Sequence, residues 1–405
     1  MNTSALRPAV PLLVLIIAGC IIAAIGNGVR TSFGLFTLPM TADLGLSREG
    51  WGMAMAIQNL AWGVAQPFAG AYADRVGTAR TIALGAAIYA LGVLGMAFSP
   101  DAGIMTLTAG VVTGTGIAIC SFSVVMAAFG RAVPVEKRSM IFGVATAASS
   151  FGQFAFAPIS QGFINAFGWQ SALLYLAMAL LLIIPLSFAL RGRTENPVGQ
   201  ADLPFMQTLA QAWGHGSYRL LVVGFFVCGF HLAFINVHMP AYLVQCGLSP
   251  AVGSWAIAVI GLFNIVGSLL AGYLGGRLPK QLLLAAIYFS RAVAIGLFLI
   301  FPVSELTAYT FAAAMGVLWL STVPLTAGLV GLFFGARYLG MLYGIAFFSH
   351  QLGSFVGVWL GGYVFDLTGS YSLVWYLGIM LGLASAALHL PINERAAPRF
   401  TLKPA

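Results

Sequence analysis

Apolar residues run almost unbroken along this chain, with short polar clusters separating them at intervals of roughly 20–30 residues. The runs fall at 10–38, 49–72, 79–99, 103–129, 138–165, 169–190, 219–245, 251–274, 281–303, 306–334, 339–365 and 371–391. Each is long enough to cross a hydrocarbon core of about 30 Å. They lack the alternation and the short segments of a membrane barrel, and backbone groups in lipid have to be satisfied within their own segment. The pattern therefore predicts an all-α membrane protein of twelve transmembrane helices. The first run is too long for a signal peptide and lacks a small-residue cleavage site, so it is read as a retained span.

One long polar interruption, "RGRTENPVGQADLPFMQTLAQAWGHGSYR" at 191–219, separates the first six spans from the last six. It is expected to be a linker with a short interfacial helix near 204–213. The predicted organisation is a first six-helix bundle over 1–190, a cytoplasmic linker over 191–218, a second bundle over 219–392 and a tail over 393–405. The halves repeat. "LPMTADLGLS" (38–47) answers "MPAYLVQCGLS" (239–249), "AAIY" recurs at 86–89 and 285–288, and Gly143 and Gly152 answer Gly344 and Gly353. So regular a repeat predicts two pseudo-symmetric bundles with a binding site at their interface near the midplane.

Composition agrees: 60% of the 405 residues are hydrophobic and 7% charged, against roughly 25% in a soluble domain. The net charge of +8 is a matter of topology, because fifteen of the eighteen Lys and Arg fall on the linker side. By the positive-inside rule both termini are cytoplasmic, and no nucleic-acid partner is implied. The four cysteines sit at unrelated spacings in or at the ends of spans, so neither a disulfide framework nor a metal site is expected. With no nucleophile–base pair, metal cluster or phosphate loop, the chain is not read as an enzyme, and no cofactor is expected.

The ten acids all fall near span ends, yet two arginines do not. Arg291 lies about 15 Å into span 9 and Arg30 about 12 Å from the outer end of span 1. A charge at such depth costs at least about 2.5–3.5 kcal/mol on insertion scales, and no embedded acid offsets it. The cavity is therefore expected to be electropositive and to favour an anion. Asn27 shares a helical face with Arg30. His231 and His350 are the embedded groups able to titrate between about pH 5 and 8, which makes them candidates for proton coupling. The repeat register sets His231 opposite Arg30. Asn264 on span 8 and Thr322 on span 10 are further polar candidates, and interhelical hydrogen bonds are the alternative role for each.

"GAYADRVGTAR" (70–80) is similar to the G-x-x-x-D-R-x-G-x-R-R signature of the major facilitator superfamily, matching at Gly70, Asp74, Arg75, Gly77 and Arg80, with Ala79 in place of an arginine. The second half keeps Arg277 in "GYLGGRLPK" without the aspartate. The resemblance implies the major facilitator fold and makes these residues a cytoplasmic gate, in which glycine permits close approach and Asp74 and Arg75 pair across the bundles. It also implies that spans 1, 4, 7 and 10 line the path, which favours Arg30 over Arg291 as a ligand. "RTSFGLF" after Arg30 and "GFHLAFINVHMPAYL" resemble the monocarboxylate porters and oxalate/formate-type carriers. Asn264 and Ser268 replace the Asp and Arg of their eighth helix, however, so Arg30 or Arg291 would have to grip the carboxylate.

These readings converge on a bacterial inner-membrane secondary transporter. It would act as a monomer in the bilayer and move a small organic anion, with protons as the coupling ion. The alternatives are an exporter or antiporter of amphiphilic compounds and a transporter-like nutrient receptor.

Overall fold

The computed structural model describes residues 11–192 and 205–397. The chain's first ten residues, the linker stretch 193–204 and the tail from 398 lie outside the described residues, and with them Arg7, Arg193, Glu195, Asp202, Arg399 and Lys403. Among the described residues there is no strand.

Among the described residues ten helices are long and apolar enough to span a membrane. One of them, Met140–Leu190, turns back on itself at Gly168, whose φ of 79° an L side chain rarely adopts. Arg48–Val76 is less apolar but runs 29 residues alongside them. Twelve helices result. In the first half they are α1 (Leu12–Leu44), α2 (Arg48–Val76), α3 (Thr78–Ala97), α4 (Ala102–Ala132), α5 (135–167) and α6 (169–190). The second half holds α7 (Gly216–Gln245), α8 (Pro250–Gly275), α9 (Lys280–Ile300), α10 (Glu305–Gly335), α11 (336–368) and α12 (Ser372–His389). A short helix, Phe205–Trp213, precedes α7 at the end of the molecule where the linker attaches. We call this the linker end and the opposite one the far end.

Polar caps start three of the helices at the far end. Ser47 Oγ accepts from Gly50 N (2.9 Å) to open α2, Asp101 accepts from Gly103 N and Ile104 N to open α4, and Ser304 closes a capping box on α10. Outward faces carry Leu91, Ile300 and Leu367 in the open, which suits lipid rather than water.

Within each half the repeat becomes geometry. α1 packs on α5 so closely that a Cβ at Gly152 would strike the Ala24 carbonyl, and α7 packs on α11 so that one at Gly353 would strike the carbonyl of Phe226. Small residues let membrane helices approach backbone to backbone. Gly353→Val is accordingly expected to cost about 1–3 kcal/mol. It should lower the thermal unfolding midpoint of the detergent-solubilised protein, whereas Gly162→Val, with open space around it, should not.

Candidate functional site

The regular helix of α1 gives way at Phe33–Phe36 to a tighter 3-10 turn, and Arg30 stands one turn before it. Such irregular backbone at membrane depth is tolerated where it is covered by protein or lines a cavity. Arg30 as a residue is half-buried. It donates to Asn27 Oδ1 over a long 3.4 Å and lies over the Trp62 ring at 5.0 Å. Asn27 is held in turn by donating to the Ser149 carbonyl of α5 (3.0 Å). Trp62 is fixed by its Nε1–H, which donates to Gln66 Oε1 (2.8 Å), and the Gln66 amide donates to Ser121 Oγ (3.0 Å) and Ser123 Oγ (2.7 Å). Ser121 sits at a break in α4 between Ile119 and Phe122, where ψ swings to 155°.

From Trp62 an aromatic run crosses to the second half. Trp62 meets Phe347 of α11 edge-on at 5.2 Å, Phe347 lies parallel to His350 at 5.8 Å, and His350 meets Phe225 of α7 at 5.0 Å. His350 Nδ1 donates to Gln351 Oε1 (3.2 Å). Arg30, Asn27, Trp62, Gln66, Phe347 and His350 are all half-buried and Ser123 is exposed. They form one accessible polar and aromatic face where the bundles meet.

The other predicted site residues are buried and committed elsewhere. Arg291 is fully covered, and its Nε and one terminal nitrogen donate to the Leu318 carbonyl (3.2 and 2.5 Å) and to that of Trp319 (2.6 Å). Those carbonyls end the first part of α10, Glu305–Leu318, before the helix resumes at Thr322. Arg291 thus caps a helix break, and Tyr288 faces it at 5.3 Å. An apolar replacement leaves two buried carbonyls without donors, at about 1–3 kcal/mol each. Arg291→Leu is therefore expected to fold in lower yield and unfold at lower temperature than wild type, measured on purified protein.

Thr322, fully buried, pairs with Cys228 Sγ (3.2 Å). Asn264 uses its whole amide structurally: Nδ2 donates to Ser150 Oγ of α5 (2.9 Å), and Oδ1 accepts from Leu320 N (3.0 Å) and Ser268 Oγ (3.2 Å). His231 does not face Arg30, contrary to the register expectation. Its Nε2–H donates to the Gly378 carbonyl of α12 (2.7 Å), and its ring lies against Gly382, because the close α7–α11 contact turns this face of α7 toward α12.

The 70–80 loop ties the first bundle together at the linker end. Gly77 has a φ of 93° and lies against the Gly192 carbonyl, which accepts from Thr78 N (3.0 Å). Arg131 donates to Thr78 Oγ1 (2.8 Å) and stands within electrostatic reach of Asp74. Arg75 and Arg80 are exposed, and Arg277 lies over Tyr273 at 4.0 Å. Gly70 has open space around it, so the close approach expected there is made by Gly77 instead.

A family model of the Major Facilitator Superfamily matches residues 16–357, with a second match over 221–405. The chain belongs to that superfamily. It is 29% identical over 384 residues to an uncharacterized MFS-type transporter, YcxA, of Bacillus subtilis (strain 168), covering 91% of this chain and 92% of that one. It is 24% identical over 354 residues to monocarboxylate transporter 13 of Rattus norvegicus, covering 86% and 81%. Among solved structures, a D-xylose-proton symporter superposes with a TM-score of 0.72 at 15% identity, over 94% of this chain and 97% of that one. A bacterial homolog of the human lysosomal transporter Spinster, in an inward-facing and unoccupied conformation, superposes at 0.69 and 14% identity, over 95% of each. The chain is thus a multi-pass membrane transporter of the superfamily.

In this superfamily member the far end is knitted shut between the bundles. Asp366 of α11 accepts from the backbone N–H groups of Arg48 (3.1 Å) and Glu49 (2.7 Å), the first two residues of α2. Arg48 also donates to the Tyr371 hydroxyl (3.2 Å), and Trp359 Nε1 donates to Glu49 Oε1 (3.2 Å). Also toward the far end, a partly open cavity of about 330 Å³ lies between α1, α5, α7 and α8, lined by the repeat-paired Pro39 and Pro240 but by neither arginine.

Sequence reasoning missed Phe347, Ser123 and the Asp366 lock. An aromatic in an apolar span carries no signal of its own, and Asp366 read only as one of several acids at an outer end.

Proposed function

We propose that this transporter moves a small organic anion with a carboxylate headgroup by alternating access, and that Arg30 is the residue that binds it. The observation that carries this reading is the difference between the two embedded arginines. Arg291 is fully buried and gives its Nε and one terminal nitrogen to the carbonyls of a broken helix, whereas Arg30 is half-buried, makes one long hydrogen bond to Asn27 and has no carboxylate beside it among the described residues. A guanidinium offers five N–H donors in a planar fork that matches a carboxylate. Bound substrate then supplies the negative charge that the protein does not. The relatives named as monocarboxylate transporters support the same class.

The contacts support alternating access. The Asp366 lock joins the bundles at the far end, so passage there requires it to break while the bundles, 1–190 and 219–392, rock about the Arg30 level. In this reading the linker end and both termini lie in the cytoplasm and the membrane is a bacterial inner membrane; the positive-inside distribution supports the orientation. Protons are the coupling ion in this reading, and His350 is their carrier because it is half-buried in the same face as Arg30. His231, hydrogen-bonded to α12, is a positioning residue.

Uptake of a carboxylate panel into proteoliposomes, with and without an imposed pH gradient, tests this. Carboxylates should accumulate with the gradient in wild type, and His350→Gln should transport without responding to it. Movement of organic cations but of no anion would overturn the assignment.

A further inference from the structure

We propose that the site selects carboxylates whose body is a flat ring, such as aromatic acids, over aliphatic acids of the same size. The inference rests on the carboxylate reading of Arg30 and extends it to the rest of the ligand. A carboxylate held by the Arg30 fork has its attached body beginning within a few ångströms of the guanidinium, and the guanidinium carbon is 5.0 Å from the Trp62 centroid. That distance puts the Trp62 ring within contact reach of the body.

Trp62 cannot turn freely to suit any shape, since its Nε1–H is tied to Gln66. The facing wall is equally specific. Phe347 and His350 are 7° from parallel, and Phe225 continues the wall behind His350 at 5.0 Å. Flat ring walls favour flat guests, because aromatic pairs gain in stacked and edge-on arrangements beyond the area that they bury. Trp62 and Phe347 touch each other across the two bundles, at 5.2 Å and 69°. A ring inserted between them would replace one edge-on contact by two ring contacts, one on each bundle. The body of the ligand would thereby join the halves at mid-depth, while its carboxylate is held on the first half alone.

The test compares binding of benzoate, cyclohexanecarboxylate and benzamide to the purified full-length protein by calorimetry, in wild type, Arg30→Ala, Trp62→Leu and Phe347→Leu. Benzoate should bind about tenfold more tightly than cyclohexanecarboxylate, as expected of two ring contacts. That advantage should vanish in Trp62→Leu and Phe347→Leu, persist in Phe347→Tyr, and persist in reduced form in Trp62→Phe, which keeps a ring but loses the tie to Gln66; these two variants also guard against a leucine variant that fails to fold. Equal binding of the two acids overturns the ring inference and leaves the carboxylate reading standing. Benzamide binding as tightly as benzoate overturns the carboxylate reading instead, and the failure of both acids to bind overturns both.

Discussion

Arg30→Ala is expected to reduce carboxylate uptake at least thirtyfold while leaving the protein folded. Removing one partner of a desolvated charge pair costs about 2–5 kcal/mol, and each 1.4 kcal/mol or so is a factor of ten. Arg30→Lys keeps the charge but loses the planar fork, so it should fall between wild type and alanine. Thermal unfolding of Arg30→Ala should stay close to wild type. The side chain gives up only a 3.4 Å hydrogen bond and a ring contact, and the variant removes an uncompensated charge from the membrane core. Initial uptake rates and unfolding midpoints, measured on the same preparations, separate this outcome from simple misfolding. A variant that unfolds early and transports in proportion to its folded fraction would make Arg30 structural.

Asp366→Asn should have the second large effect, on conformation. Ser47 takes the third N–H of α2, which leaves the first two, those of Arg48 and Glu49, to a carboxylate supplied by the other bundle. An anion at a helix N-terminus gains from the helix dipole, and charge-assisted hydrogen bonds are roughly twice as strong as neutral ones. The asparagine retains one acceptor oxygen and loses the charge. Its expected cost to the far-end-closed state is about 1–2 kcal/mol, a shift of about five- to thirtyfold in the ratio of closed to open. Spin labels at Asp101 and Leu306, exposed at the far ends of opposite bundles, report the opening. Their distance distribution should move toward longer separations in Asp366→Asn, and raised salt should have a similar effect on wild type by screening the exposed lock. An unchanged distribution would mean that Asp366 does not hold the closure.

Most of the fold was legible in the sequence because membrane helices declare themselves by length and hydropathy. The repeat was legible for a related reason. Gly152 and Gly353 recur because each half needs a backbone-to-backbone contact there, and a glycine is visible in a sequence where a packing angle is not. The site was legible only at its charges. Depth alone did not separate Arg30 from Arg291, and only the resemblance to the superfamily favoured Arg30, since depth is readable but partners are not. What separates them is the break in α10 after Leu318, which no Pro or Gly at 318–320 announces. His231 misled because the register fixed its height in the bundle and not its azimuth. The lock at Asp366 joins residues more than three hundred positions apart, beyond the reach of any spacing argument.

The central claim is that Arg30 and the substrate carboxylate are each other's charge partners, and a thermodynamic cycle tests it most directly. Dissociation constants of one carboxylate and of its uncharged amide are measured by calorimetry on wild type and on Arg30→Ala. A partnership predicts a coupling energy of about 2–5 kcal/mol, with the amide nearly indifferent to the mutation. A coupling energy near zero, with acid and amide weakened alike, would contradict it.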